Sequence, residues 1–286
     1  MKKILVTGAN GQLGKELRDI AAHYPSLEFL FLSREDLPIH HYDLVRNTFI
    51  GFKPDCCINC AAYTAVDKAE SEKDLAFIVN AESVGILAAV SREQHCKFIH
   101  ISTDYVFAGD SPTPYKEADP TGPVSVYGKS KLAGEQEAVR ENPESVIIRT
   151  SWVYSYHGNN FVKTMMRLMK ERNEISVVSD QVGSPTWAAD LAAFIMHIIQ
   201  CETWHPGIYH FSNEGEISWY DFANEIKRLM QSNTIVHPIP TSAYPTPAKR
   251  PAFSLLDKTK IKSVFAYNPP DWKESLQKCI HRLLAQ

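Results

Sequence analysis

Tyr127 and Lys131 stand four residues apart in the run Tyr127-Gly128-Lys129-Ser130-Lys131. On a helix that spacing puts both on one face. A phenol is a poor acid at neutral pH, with a reference pKa of about 10. An ammonium beside it stabilises the phenolate and brings that value down. The pair could then hand a proton to a ketone oxygen while hydride arrives at the carbon, and Lys131 could also hold the ribose of a nicotinamide cofactor. Thr103 closes the apolar run before Asp104 and can hydrogen-bond the same oxygen. Lys129 is two residues from Tyr127 and faces elsewhere.

A hydride donor has its own signature. Gly8-Ala9-Asn10-Gly11-Gln12-Leu13-Gly14 directly follows a first strand and opens a helix. Backbone amides at a helix N-terminus, free of side-chain bulk, let a pyrophosphate approach closely. The strand-turn-helix context is what gives the glycines weight. Their G-x-x-G-x-x-G spacing resembles the extended short-chain dehydrogenase/reductase superfamily. An acidic residue after the second strand would grip the ribose of NAD. Here that strand runs into Leu32-Ser33-Arg34, and Arg34 is suited to a 2′-phosphate. The expected cofactor is therefore NADPH, with NADH the alternative.

These residues need a scaffold that delivers strand ends to one edge. Apolar runs at residues 3–7, 27–32, 56–61, 98–102 and 146–149 read as strands. Amphipathic stretches at 11–22, 45–52, 73–95 and 127–141 read as helices between them. Such alternation predicts an α/β, Rossmann-type doubly wound parallel sheet with helices on both faces. The dinucleotide-binding domain is expected to span residues 1–151, with a returning segment near 186–212. A smaller C-terminal substrate lobe takes about 152–185 and 213–286. Five prolines between Pro238 and Pro251 predict an ordered loop.

Composition narrows the class. The 286 residues carry 44% hydrophobic side chains, a net charge of −3 and a pI of about 6.4. Nothing in that balance favours a nucleic-acid or membrane partner. No apolar run approaches the roughly 18 residues that span a bilayer. The apolar stretch at residues 4–6 is too short for a secretory signal. Cys56, Cys57 and Cys60 lie within a strand-like run and read as buried thiols rather than zinc ligands. Free cysteines suit a reducing compartment, so the cytoplasm is expected.

The remaining motifs point to one family. Ser102-Thr103-Asp104-Tyr105-Val106-Phe107, Tyr127 to Glu135, Arg149-Thr150-Ser151-Trp152-Val153-Tyr154 and Gly158-Asn159-Asn160-Phe161 resemble the dTDP-4-dehydrorhamnose reductases. So do Ala62-Tyr63-Thr64-Ala65-Val66-Asp67-Lys68-Ala69-Glu70 and the tail Tyr244 to Pro251. The resemblance covers essentially the whole chain. It implies NAD(P)H-dependent reduction of the 4-keto group of a dTDP-linked 6-deoxy sugar, giving dTDP-L-rhamnose. It implies cofactor contacts at Gly11, Gln12 and Leu13, at Asp43 and Leu44, at Ala61, Ala62 and Tyr63, and at Lys131. It implies substrate contacts at Thr103, Asp104 and Trp152, whose flat ring can pack on a sugar face. Lys249 and Arg250 could hold the diphosphate.

One departure stands out. Some members carry an acidic cluster that binds magnesium at a dimer interface. Here Gln181-Val182-Gly183-Ser184-Pro185-Thr186 leads to a lone carboxylate, Asp190, too few for a hard-cation site without other donors. A monomer without structural magnesium is expected, with a homodimer the alternative. Two rival functions share the motifs: a nucleotide-sugar epimerase or dehydratase, and a non-catalytic NADP-binding regulatory subunit like that of methionine adenosyltransferase. Retention of Tyr127, Lys131 and Thr103 argues for catalysis.

Overall fold

The computed structural model describes residues 1–285. Six strands form the central sheet: β1 (Lys2–Thr7), β2 (Leu27–Leu32), β3 (Cys56–Asn59), β4 (Lys97–Thr103), β5 (Val146–Thr150) and, after a strand β6 (Glu174–Val178) that lies elsewhere, β7 (Gly207–Phe211). Their order is β7-β5-β4-β3-β1-β2, and every pairing is parallel. Successive residues of a strand face opposite sides, so each strand feeds two cores. Ile4, Val6, Ile58, Ile99 and Ile148 pack against Leu191, Phe194 and Ile198 of one helix, Ala188–Gln200. Leu5, Cys57, Phe98 and Ile147 pack on the other face against Val84, Leu87 and Ala88. Burial on both faces is why these strands read as continuous apolar runs.

The helices used below are α1 (Gln12–Ala21), α2 (Tyr42–Phe52), α3 (Ser83–Glu93) and α4 (Val126–Glu141). α3 continues an α-turn at Lys73–Phe77 and a π-turn at Ile78–Glu82. The whole stretch Lys73–Glu93 is long and apolar enough to cross a membrane by length and composition, with mean hydropathy 1.5. That departs from the sequence expectation, because the separate apolar runs join into one continuous helix. Its Ala76, Ala81, Val84, Leu87 and Val90 are buried within the protein, so this apolar surface is already covered.

A separate core lies beyond β5. Tyr154, Met165, Met169, Ile175, Phe222, Ile226, Leu276 and Ile280 cluster there. β6 pairs in parallel with β8 (Ile235–Ile239) in this region. Pro238 thus sits within a strand rather than in a loop, tolerated because β8 lies at the edge of a two-stranded sheet. The chain after it docks back: Phe253 N donates to Gly109 O, and Ser254 N to Val182 O.

Candidate active site

The glycine turn forms because no other residue fits. Gly8 has φ +66°, and a Cβ there would sit 2.5 Å from the Ala61 nitrogen. At Gly14 a Cβ would sit 2.5 Å from the Gly8 carbonyl oxygen. β1, β3 and α1 therefore meet backbone to backbone. α1 begins after Gly11, with no side chain capping its first amides, which leaves them for an anion. A cavity of about 450 Å³ opens from this turn. Its walls include Gly8, Asn10 and Gly11, Ser33 to Glu35 after β2, Leu37 to His40, Cys60 to Tyr63, and Leu75, Ile78 and Val79.

At the carboxyl end of β4, Thr103 caps a short 3-10 turn, Asp104–Val106, by accepting from Tyr105 N. Thr103 Oγ1 donates to Asp104 Oδ1 at 2.9 Å. α4 starts at a capped Ser125, whose Oγ accepts from Gly128 N at 3.1 Å. Gly128 is required there, since a Cβ would sit 2.3 Å from the Tyr105 oxygen. This close approach sets Tyr127 beside Thr103, and Tyr105 packs edge-on against the Tyr127 ring at 5.5 Å. Burial of Asp104 pushes its carboxyl up to about 6.

Lys131 departs from the role the spacing suggested. Its Nζ donates to Ile101 O at 2.6 Å and lies 3.3 Å from His100 Nε2. Burial lowers it to about 8. Burial also raises Tyr127 to about 12, against a favourable Thr103 hydrogen bond and alongside the Asp104 charge. In this state Lys131 therefore does not lower the phenol, because its Nζ is turned to the strand. One turn further along the same helix face, Glu135 accepts from Arg149 Nε and Nη2 at 2.9 and 2.7 Å and from Ser102 Oγ.

The chain is similar to known proteins along its whole length. The model of the family described as RmlD substrate binding domain matches residues 1–285. The dTDP-4-dehydrorhamnose reductase of Aggregatibacter actinomycetemcomitans is 44% identical, covering 97% of this chain and 98% of that protein. The chain belongs to the dTDP-4-dehydrorhamnose reductase family. A crystal structure of the Clostridium acetobutylicum member superposes with a TM-score of 0.95 at 42% identity, covering 99% of each chain. The Bacillus anthracis member, solved in complex with NADP, superposes at 0.93 with 40% identity, covering 99% of this chain and 100% of that one.

The expected contact residues are not all brought together. Gly8, Gly11, Arg34, Ala61, Ala62 and Tyr63 line the cavity, while Gln12, Leu13 and Gly14 lie just behind its turn in α1. Gln12 points its amide towards Val153 O and Asn160. Asp43 and Leu44 are exposed in the first turn of α2 and outside the cavity wall. Leu37 to His40, the segment leading into α2, lie along the cavity in their place. An acidic side chain also stands near Arg34, for Glu35 lines the same wall. Asp36 is spent accepting from Ser33 N.

On the opposite side, Trp152 is held at φ +47°. Its ring stacks on Trp219 with centroids 3.6 Å apart, so one face of the indole already has an aromatic partner. Arg250 forms a two-pronged pair with Asp67 at 3.1 and 2.9 Å, and Lys249 is exposed. Asp190 accepts from Asn213 and Ser275, which commits it to the protein interior. Among the described residues no group of three or more His, Cys, Asp or Glu could hold a metal ion.

Several participants carried no local signal. Asn59 and His100 are buried polar residues within apolar strands. Asn80, in the π-turn, clasps the backbone N and O of Tyr63 and donates to Ser130 Oγ of α4. A polar residue inside a buried element was the one available hint.

Proposed function

We propose that the protein reduces the 4-keto group of dTDP-4-dehydro-L-rhamnose to dTDP-L-rhamnose. The observation that carries this is Tyr127 beside Thr103 at the sheet edge, one turn above Lys131, on the side where the glycine turn opens. The cradle suits a dinucleotide: uncapped amides at the start of α1, close backbone approach at Gly8, and Arg34 at the far wall. Reduced NADP, when bound, supplies the hydride. Tyr127 gives its proton to the ketone oxygen, and Thr103 donates a hydrogen bond to that oxygen as charge develops on it. Lys131 holds the cofactor ribose and, once charged beside Tyr127, eases release of the phenolic proton. Asp104, Trp152 and the tail at Lys249 and Arg250 are assigned to the sugar nucleotide, with Arg250 leaving Asp67 for the diphosphate. The sheet region forms the cofactor domain and the core beyond β5 the substrate lobe.

We propose a monomer, because the lone carboxylate Asp190 is bonded within the protein rather than offered to a shared cation, and a cytoplasmic setting, which suits its free cysteines. Product analysis with the 4-keto sugar nucleotide and each reduced cofactor tests the reading. A rhamnose product supports it; a dehydrated or epimerised product with no cofactor consumed overturns it. Tyr127→Phe should lower single-turnover hydride transfer by about 10²–10⁴-fold with cofactor binding unchanged. A parental rate would move the acid to Asp104. Arg34→Ala should weaken NADPH by about 1–3 kcal/mol and spare NADH; equal losses in titration would show that Arg34 does not read the 2′-phosphate.

A further inference from the structure

The buried chain Thr7–Asn59–His100–Lys131 fixes where its protons lie. Asn59 Oδ1 accepts from Thr7 Oγ1 at 2.7 Å and from Ala61 N at 3.1 Å. The second donor is a backbone N–H, which cannot reverse its role, so it sets the orientation of the Asn59 amide. Asn59 Nδ2 must then face His100 Nδ1, which lies 3.1 Å away. A nitrogen facing a donor must accept, so Nδ1 carries no proton. His100 is 0% exposed, and burial keeps it far below its ordinary value. It is therefore neutral, with its one proton on Nε2. That N–H points at Lys131 Nζ, 3.3 Å away. An ammonium has only donors and cannot accept it; an amine can.

We infer that His100 is a positioning residue whose Nε2–H favours the uncharged amine of Lys131 in the cofactor-free protein, so that binding the dinucleotide releases Lys131 from His100 and favours its charged form. Lys131 in this state accepts from His100 and donates to Ile101 O. The groups facing it are Glu135 from its own helix, Cys60 just after β3, and His100 from β4. Of these, Glu135 favours the charged form but is already matched by Arg149. Burial outweighs Glu135 and Cys60 and lowers Lys131 to about 8, and the His100 N–H acts in the same direction as burial. When Lys131 turns to the cofactor ribose it leaves the His100 N–H that favours the amine. It then takes a proton from solvent, with no other bond made or broken. Burial raises Tyr127, and Lys131, engaged elsewhere without cofactor, does not offset it.

The functional consequence rests on the reductase reading, but the proton placement does not, and two measurements keep them apart. Nitrogen-15 spectra of histidine-labelled protein without cofactor should show His100 as the neutral Nε2–H form. A proton on Nδ1, or a charged ring, overturns the inference whatever the enzyme's substrate. Calorimetric titration with NADPH above pH 8, repeated in buffers of different ionisation enthalpy, should show proton uptake approaching one per site. Lys131→Met should abolish that uptake. No uptake by the parent overturns the inference. His100→Phe should move the alkaline limb of the kcat/KM profile upward, since the amine loses its donor. A downward move would mean that His100 accepts from an ammonium, and would also overturn it. If His100→Phe does not fold, the spectra and titrations of the parent protein still decide.

Discussion

Lys131 and Glu135 occupy one face of α4 a single turn apart, and both are buried, yet only one is matched. Glu135 receives two guanidinium bonds from Arg149 and a hydroxyl from Ser102, and Arg149 also lies over the Phe107 ring at 5.0 Å. Lys131 has a carbonyl and a neutral imidazole. The lower turn is a satisfied ion pair that fastens α4 to β4 and β5. The upper turn, with Asp104 beside it at the end of β4, holds groups moved from their ordinary values by burial: Lys131 to about 8, Tyr127 to about 12 and Asp104 to about 6. A fold can leave chemistry uncompensated at one end of a helix when the other end is anchored.

Breaking the anchor should have the largest effect. Arg149→Met leaves Glu135 buried without its counter-charge, and removing one partner of a buried pair costs about 3–5 kcal/mol. Urea unfolding followed by fluorescence and circular dichroism reads this directly. A loss under about 1 kcal/mol would place the pair with weak surface bridges and dissolve the contrast between the two turns.

Asp104→Asn should act in the opposite direction. The folded carboxyl titrates at about 6, above its ordinary 3.8, so the folded state holds its proton to higher pH than the unfolded chain does. Burial of the charge therefore destabilises the fold fully above about pH 6, and the penalty fades between that value and the ordinary 3.8. Asparagine keeps an oxygen for Thr103 Oγ1 and carries no charge. At pH 7 the variant should gain about 2–3 kcal/mol, and the gain should vanish by about pH 4. A pH-independent gain, or a loss at pH 7, would show that the upper turn is not under electrostatic load.

These two ends were not equally visible in the sequence. Tyr127, Lys131 and the three glycines follow from local spacing, because helix periodicity and tight turns are short-range properties. The strands were also legible, since burial on both faces leaves long apolar runs. The β3 run was expected to reach Ala61, but its strand ends at Asn59, where the side chain turns back to hold Ala61 N. What could not be read was pairing across the sheet. Asn59 and His100 are register partners 41 residues apart, and only the folded sheet makes them a network. Likewise Asp43 and Leu44 matched a motif by position, while the cavity wall was set by where the chain bends before α2. The state of Lys131 was hidden for the same reason: its partners come from β4, not from α4.

The smallest expected effect lies at the start of α4. Ser125 Oγ accepts the Gly128 amide, one of the first-turn donors that has no partner inside the helix. Ser125→Ala should cost about 0.5–2 kcal/mol, less than Arg149→Met, because the pair at Glu135 still fastens the helix below. The first turn carries Tyr127, so part of the loss should appear as looser placement of the phenol. Hydride transfer should therefore slow by less than tenfold in single-turnover measurements, with the NADPH dissociation constant unchanged because the glycine turn is untouched. If Ser125→Ala destabilises the protein more than Arg149→Met does, the anchor of α4 is its capped first turn. The matched pair would then be tuning the charge near Lys131 rather than holding the helix in place.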